Sequence, residues 1–249
     1  MKKMNKLIKK IRISVPLKLV TGMRIGDSKE NVEIGGVDNP VIRRRDTNEP
    51  YIPGSSLKGK IRCLLELVAG ENADSKSQKQ SNSVICQLFG AGDNEEGLRK
   101  VKARFDKKEI TEEEADILSA EWQGGKSRLI VRDSYLTRNS AHTLLNSEFT
   151  DMPYTEIKME NVINRIKGAA EHPRQMERIP PGAIFLVNMV INIFEHDEEA
   201  KLYQRLMSGM MLLEADYLGG SGSRGYGQIK WGKIQKTEID TAYYLAETV

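Results

Sequence analysis

Gly219-Gly220-Ser221-Gly222-Ser223-Arg224-Gly225-Tyr226-Gly227 is the stretch whose surroundings decide the fold. Its centre, Gly220 to Gly225, fits G-x-G-x-x-G, a phosphate-binding fingerprint that must follow a strand and open a helix. Here the helix-patterned run Leu202 to Leu218 comes first and the strand-patterned Tyr226 to Ile234 follows. The order is reversed, which sets a dinucleotide fold aside.

A second stretch carries a similar decoy: Ile52-Pro53-Gly54-Ser55-Ser56-Leu57-Lys58-Gly59-Lys60-Ile61-Arg62. Gly54 to Lys60 fits G-x-x-x-x-G-K, but Ile61 stands where a phosphate loop needs a Mg-binding Ser or Thr. The polar run Arg43 to Pro50 also replaces the hydrophobic strand that should lead in. What both stretches share is small residues, which let a backbone approach a ligand, joined to cations that suit a polyanion. Ser55 or Ser56 is a natural N-cap for an amphipathic helix from about Leu57 to Val68, closed by Gly70. Free N–H groups at that helix start favour an anion beside Lys58, Lys60 and Arg62. Lys58 and Arg62 share a face and Lys60 points elsewhere, the plain alternative being a solvated helix face. Five glycines between Gly219 and Gly227 exceed what one turn needs, and Arg224 and Tyr226 add a charge and a stacking ring.

Outward from these stretches, Lys10 to Val20 alternates with period two, as a half-buried first strand does. Thr21-Gly22 opens a loop running to Pro53, in which only Pro40-Val41-Ile42 has strand character. Glu71 to Ser83 and Gly90 to Gly125 are polar, with Thr111-Glu112-Glu113-Glu114 placed to cap a short helix. Ser127 to Leu136 reads as a second strand. Within Tyr154 to Pro181, Ile157 to Val162 alternates, Lys167 to Pro173 supplies a turn, and Arg174 to Ile179 follows, a long polar hairpin. Ala183 to Phe194 is a buried strand, Glu198 to Leu218 a helix and Gly225 to Thr237 a last strand. The expectation is one α+β domain over 1–249 with a ferredoxin-like βαββαβ core, as in RNA-recognition modules. Insertions are expected at about 70–125, polar and partly helical, and at about 150–181, the projecting hairpin.

A chain of 249 residues with 39% hydrophobic and 29% charged residues buries a sizeable core. Lys plus Arg number 38 against 35 Asp plus Glu, so the distribution of charge says more than its sum. The acids gather in runs such as Glu112-Glu113-Glu114 and Asp197-Glu198-Glu199, while cations fill the Gly-rich and Ser-rich stretches. Cys63 and Cys86 share no metal-ligand spacing and read as reduced cytoplasmic thiols, Cys63 in the core because it sits in the apolar run Ile61 to Val68. No window is apolar enough for a membrane span, and the basic N-terminus lacks a signal-peptide pattern.

Together with Thr21-Gly22, Ile34-Gly35-Gly36-Val37-Asp38-Asn39-Pro40-Val41-Ile42, the Tyr154 to Arg178 segment and Asp216-Tyr217-Leu218, these stretches resemble the repeating backbone subunit of the Csm complex. That complex is the type III-A CRISPR effector, and the subunit belongs to the RAMP superfamily. The resemblance spans nearly the whole chain in order. It implies an antiviral-defense protein that polymerises with copies of itself along a CRISPR RNA and inserts a thumb hairpin at six-nucleotide intervals. It also implies endoribonuclease cutting of the paired target RNA beside each thumb. The implied partners include the large polymerase-domain subunit and the small subunit, and the implied cofactor is a divalent metal, Mg or Mn.

On this resemblance Asp38 falls on the catalytic aspartate and candidate metal ligand, a carboxylate that can help deprotonate a ribose 2′-OH or position a metal or water. Read alone, it would cap the Asp-Asn-Pro turn. Glu33 and Asp46 are the neighbouring acids. The RNA contacts carried over are Arg24, Ser55, Ser56, Lys58, Lys60, Arg62, Arg174, Gln175, Arg178, Gly220, Gly222, Ser223, Arg224 and Tyr226. Arg24 stands where close relatives often carry His, and an arginine binds phosphate without exchanging protons at neutral pH. His142, His172 and His196 lie in polar segments and read as exposed. The competing reading is a noncatalytic RNA-binding backbone subunit of a related complex.

Overall fold

The computed structural model describes residues 6–26, 40–70, 84–90, 95–112, 114–115 and 127–242. In chain order the elements are β1 (Leu7–Leu19), β2 (Tyr51–Ile52), α1 (Gly54–Ala69), α2 (Val84–Phe89), α3 (Glu95–Asp106), β3 (Leu129–Val131), β4 (Ser134–Leu136), α4 (Arg138–Leu145), β5 (Glu156–Asn164), β6 (Ala169–Arg178), β7 (Ile184–Phe194), α5 (Glu199–Ala215), β8 (Ile229–Trp231) and β9 (Gln235–Asp240).

The alternation in β1 turns Ile11, Ile13, Val15, Leu17 and Leu19 to one face, where each is buried. β7 lies antiparallel beside it from Leu7↔Phe194 to Lys18↔Ile184 and faces Phe185, Val187, Met189, Ile191 and Ile193 the same way. The main path of the antiparallel sheet is β2-β4-β7-β1-β8, with β3 also on β7 and β9 also on β1. Two helices cover its apolar face. In α5, Leu202, Leu206, Met210 and Leu213 form one stripe at helical spacing. In α1, Leu57, Ile61, Leu64 and Leu65 form the other. Leu206 is fully buried, so truncation to Ala would cost about 2–5 kcal/mol in lost transfer energy and cavity.

Several expectations shift in detail. The second strand is two short strands, β3 and β4, broken at Arg132-Asp133 because Asp133 turns out of the sheet and its Oδ1 accepts from Gly54 N at 2.8 Å. Helix α1 therefore begins at Gly54. Pro53 takes the N-cap position and no side chain caps the helix, so neither Ser55 nor Ser56 has that role. A Cβ on Gly54 would sit 2.4 Å from Val131 O, so only glycine lets the helix end abut the broken strand. Gly70 closes α1 with φ 66, as expected. The last strand is divided into β8 and β9. Cys63 is exposed and Cys86 buried, because Cys63 lies off the apolar stripe of α1 and Cys86 lies within α2. Thr111 and Glu114 form the expected reciprocal cap: Thr111 N donates to Glu114 Oε2 at 2.9 Å and Glu114 N to Thr111 Oγ1 at 3.2 Å.

The hairpin is β5 and β6, a separate two-stranded sheet. Its turn comes at 165–168, earlier than the sequence suggested, and His172-Pro173 lie within β6. The register jumps from Glu160↔Arg174 to Val162↔Glu171, so two residues of β6 oppose Asn161. That bulge accommodates a proline with no N–H to give to the ladder. No described helix is long and apolar enough to cross a membrane.

Candidate nucleic-acid interface

The cations of α1 are engaged within the chain. Lys58 Nζ donates to Ser127 Oγ at 2.7 Å and to Leu129 O at 3.0 Å, turning towards β3, and burial together with the nearby Arg62 charge holds its pKa below the ordinary lysine value. Arg62 Nε pairs with Glu66 Oε1 one helical turn on, at 2.6 Å. Lys60 pairs with Asp216 at 3.1 Å and lies 3.8 Å from the centre of the Tyr217 ring. Ser55 is exposed and Ser56 half-buried at the helix start.

Lys60 is the link to the glycine-rich loop. Tyr217 also meets Gly222, where a Cβ would lie 2.0 Å from the ring, so any side chain at 222 would collide with the tyrosine that Lys60 lies against. Gly222 to Arg224 make one 3₁₀ turn. Gly220 N donates to Arg24 O at 2.8 Å, which fastens the loop to the strand-like segment after β1 and places Arg24 beside it. Ser223 and Arg224 face solvent.

Tyr226 does not. It is 1% exposed, so the ring expected to stack on a base is packed inside the protein. Lys158 of β5 and Arg178 of β6 lie over that ring at 4.6 and 5.2 Å from its centre. Its hydroxyl donates to Glu160 Oε1 at 2.7 Å, and Arg224 Nη1 reaches Glu160 Oε2 at 3.0 Å. Burial first, and then the Glu160 carboxylate, push the phenol up to about 12. The Tyr226 hydrogen bond, ahead of Arg224, holds Glu160 below the usual carboxylate range. Arg178 Nε also pairs with Glu156 Oε1 at 2.6 Å. Strand alternation puts Glu156, Lys158 and Glu160 on one face of β5, and that face is bolted to the glycine-rich loop.

The opposite side of the hairpin root grips a different segment. Glu177 of β6 accepts from Val41 N at 2.7 Å, Arg43 Nη2 at 2.5 Å and Thr155 Oγ1 at 2.6 Å. A Gly26↔Val41 bridge and the bond from Ile42 N to Ile25 O, 2.9 Å, bring the flanks of 27–39 together at this point. Asp38 and Glu33 lie outside the described residues, which resume at Pro40, two positions beyond Asp38. Asp46 is exposed on a turn and paired with Arg44 at 2.5 Å. Arg174 and Gln175 are exposed on β6. Of the histidines, His142 is exposed on α4 and His196 is exposed beyond β7.

Arg24, Arg178, Gly220, Gly222, Ser223, Arg224 and Tyr226 thus gather between the glycine-rich loop and the hairpin root, with Lys60 joined through Tyr217. Lys58 and Arg62 point away from that cluster, each towards a partner of its own. Sequence reasoning passed over Glu156, Lys158, Glu160, Glu177 and Asp133. A signal was present for the first three, since acid, base and acid at i, i+2 and i+4 of a strand must share a face. Among the described residues no group of three or more His, Cys, Asp or Glu is placed to hold a metal ion.

A family model of the RAMP superfamily matches residues 16–230. The CRISPR system Cms endoribonuclease Csm3 of Methanothermobacter thermautotrophicus is 37% identical over 228 residues, 91% of this chain and 85% of the relative. The protein of the same name from Methanocaldococcus jannaschii is 38% identical over 235 residues, 92% of this chain and 81% of its own. The crystal structure of Methanopyrus kandleri Csm3 shares the fold with a TM-score of 0.62 at 23% identity, over 96% of this chain and 80% of the other. With sequence similarity on this scale and the superfamily match running from within β1 to within β8, the chain belongs to the RAMP superfamily and, within it, to the Csm3 family.

Proposed function

We propose that the chain is the CRISPR RNA-binding backbone subunit of a type III-A interference complex, polymerised along the guide, and that it cuts guide-paired target RNA at six-nucleotide intervals. Similarity to relatives named CRISPR endoribonucleases over about nine-tenths of the chain carries this reading. The sheet order supports the ferredoxin-like part of it: with β2, α2, α3, α4 and the β5–β6 hairpin set aside as additions, and β3/β4 and β8/β9 each taken as one interrupted strand, the succession is strand, helix, strand, strand, helix, strand, all neighbours antiparallel. The β5–β6 hairpin is the thumb. Its root touches both the glycine-rich loop and Val41, three positions after Asp38, which supports a role in holding the RNA backbone in line for attack.

In this reading the target's own 2′-OH attacks the adjacent phosphate as Asp38 takes or positions its proton, the P–O5′ bond breaks, and the 5′ oxygen leaves and is protonated to a 5′-hydroxyl. Mg or Mn is the cofactor this reading carries, and Asp38, which lies outside the described residues, would hold it; such an ion would neutralise charge developing on the phosphate. The test is the reconstituted complex with Asp38→Ala. Target cutting is lost and guide and target binding persist, because one loop acid contributes little to an interface of phosphate contacts. Target RNA with 2′-deoxy sugars at the cut positions binds and resists cutting, and ordinary RNA leaves 2′,3′-cyclic phosphate ends. Equal cutting by Asp38→Ala returns the subunit to the noncatalytic backbone reading. Loss of cutting in EDTA with 3′-hydroxyl products moves Asp38 to a metal-binding role.

A further inference from the structure

We propose that Glu160 is a built-in stand-in for an RNA phosphate, holding Arg224 and the Tyr226 hydroxyl in an anion-binding arrangement until guide RNA displaces it. The inference rests on the RNA-binding reading above and concerns how that binding is gated.

A carboxylate and a phosphodiester present the same thing to a donor: a single negative charge spread over oxygens that accept charge-assisted hydrogen bonds. Around Glu160 the donors converge as they would on a phosphate, with Tyr226 Oη at 2.7 Å, Arg224 Nη1 at 3.0 Å and Lys158 Nζ at 3.7 Å. Exposure separates this cluster from the structural ion pairs of the same protein. In the Arg128–Asp197 and Arg43–Glu177 pairs both partners are withdrawn from solvent, the arginines being 10% and 16% exposed. In the Glu160 cluster the carboxylate is 14% exposed while Arg224 is 65% and Lys158 40% exposed. The acid is inside and the cations face outwards, which is how a phosphate-binding surface looks when its anion has been supplied from below.

The hydrogen bonds keep Glu160 charged, so it competes as an anion throughout the neutral range. Exposed ion pairs contribute little, so exchanging this one for a polyanion that releases counterions is favourable. The exchange also has a mechanical result. Glu160 is the carboxylate that holds Arg224 and the Tyr226 hydroxyl to β5, and once it is displaced the joint is loosened but not undone, because Lys158 and Arg178 still lie over the Tyr226 ring and Gly220 N is still bonded to Arg24 O. Guide binding and loosening of the joint between the hairpin and the glycine-rich loop then become one event.

The test uses the full chain purified free of nucleic acid, a labelled single-stranded RNA of guide length, and fluorescence anisotropy across a salt series. Glu160→Gln keeps an oxygen for the Tyr226 hydroxyl and removes the charge. It is expected to tighten RNA binding about tenfold, the scale of one charge-assisted hydrogen bond. The salt slope should steepen by about 0.7, the increment for one further phosphate neutralised on a single strand. Adding Arg224→Ala should abolish the gain, because without the arginine the missing carboxylate frees nothing. Glu160→Asp, which withdraws the charge by one methylene, should give an intermediate gain and carries the test if the glutamine variant does not fold. Affinity and slope equal to or below wild type in these variants, with a lowered Tm, make Glu160 a staple and overturn the proposal. A wild-type chain that binds no RNA, alone or in its complex, sinks the functional reading itself.

Discussion

Two glutamates hold the hairpin root, one on each strand, and they do so on different terms. Glu177 is 1% exposed and its oxygens are shared among a backbone N–H, an arginine and a hydroxyl that are themselves largely buried. Glu160 has a comparable set of donors, but the arginine among them stands in water. The same functional group makes a permanent joint in one place and an exchangeable one in the other. Solvent access to the partner cation decides which, because water competes for a cation it can reach.

The largest effect should come from Glu177→Ala. It leaves the Val41 N–H and the Thr155 hydroxyl without their acceptor and Arg43 without its counter-charge, with only the neutral acceptors Asn48 O, Pro153 O and Thr155 Oγ1, and breaking such a buried pair costs about 3–5 kcal/mol. In thermal unfolding of a chain this size the loss corresponds to roughly 10 °C. Glu160→Ala should cost less, about 1–2 kcal/mol, because its arginine is in water and only the Tyr226 hydroxyl loses a buried partner. Equal losses would erase the distinction between the two joints.

Next in size is the alkaline response of Tyr226. Its folded pKa, about 12, lies above the ordinary value of 10.0, so the unfolded chain gives up that proton first. The contribution is intact below pH 10 and is lost as pH rises through the folded value, a decrease on the order of 1–3 kcal/mol. Urea titrations of wild type and Tyr226→Phe across this window should diverge from each other at the high end, with the phenylalanine variant lacking that part of the decline. Parallel curves would mean that neither burial nor Glu160 raises the phenol in the folded chain.

The smallest effect concerns α1. Lys58→Ala with Arg62→Ala should weaken RNA binding for all sequences alike and lower the salt slope by about 0.7 for each phosphate that is no longer neutralised. Single substitutions sharpen the comparison. If Lys58 keeps its bonds to Ser127 and Leu129 when RNA is bound, the change comes from Arg62 alone. Weakening confined to particular sequences would mean that these residues read bases.

The long periodic elements were legible in the sequence. β1, β7 and α5 each repeat an apolar residue often enough that no other arrangement buries them. The break between β3 and β4 was hidden because Arg132-Asp133 reads as the polar half of an alternating strand, and nothing local says that Asp133 will turn to meet the start of α1. Cys63 was misplaced for a related reason: an apolar neighbourhood in sequence is not one face of a helix. In the candidate site the cations were legible and their partners were not. Alternation places Glu160 on a face of β5, but which loop crosses that face is fixed by the whole fold. The stacking role expected of Tyr226 was lost in the same way, since a ring beside glycines looks exposed until the hairpin is laid over it.

The bridged flanks of residues 27–39 have a consequence for engineering. Gly26 and Val41 are paired, and Glu177 fixes the second flank to the hairpin, so the span between them closes across a distance the rest of the fold already sets. Lengthening such a span costs only about 0.6 kcal/mol for each doubling. A chain given a relative's residues 27–39 should therefore still fold on its own β1, α1 and hairpin, because the contacts that hold Gly26 and Val41 lie outside the exchanged residues.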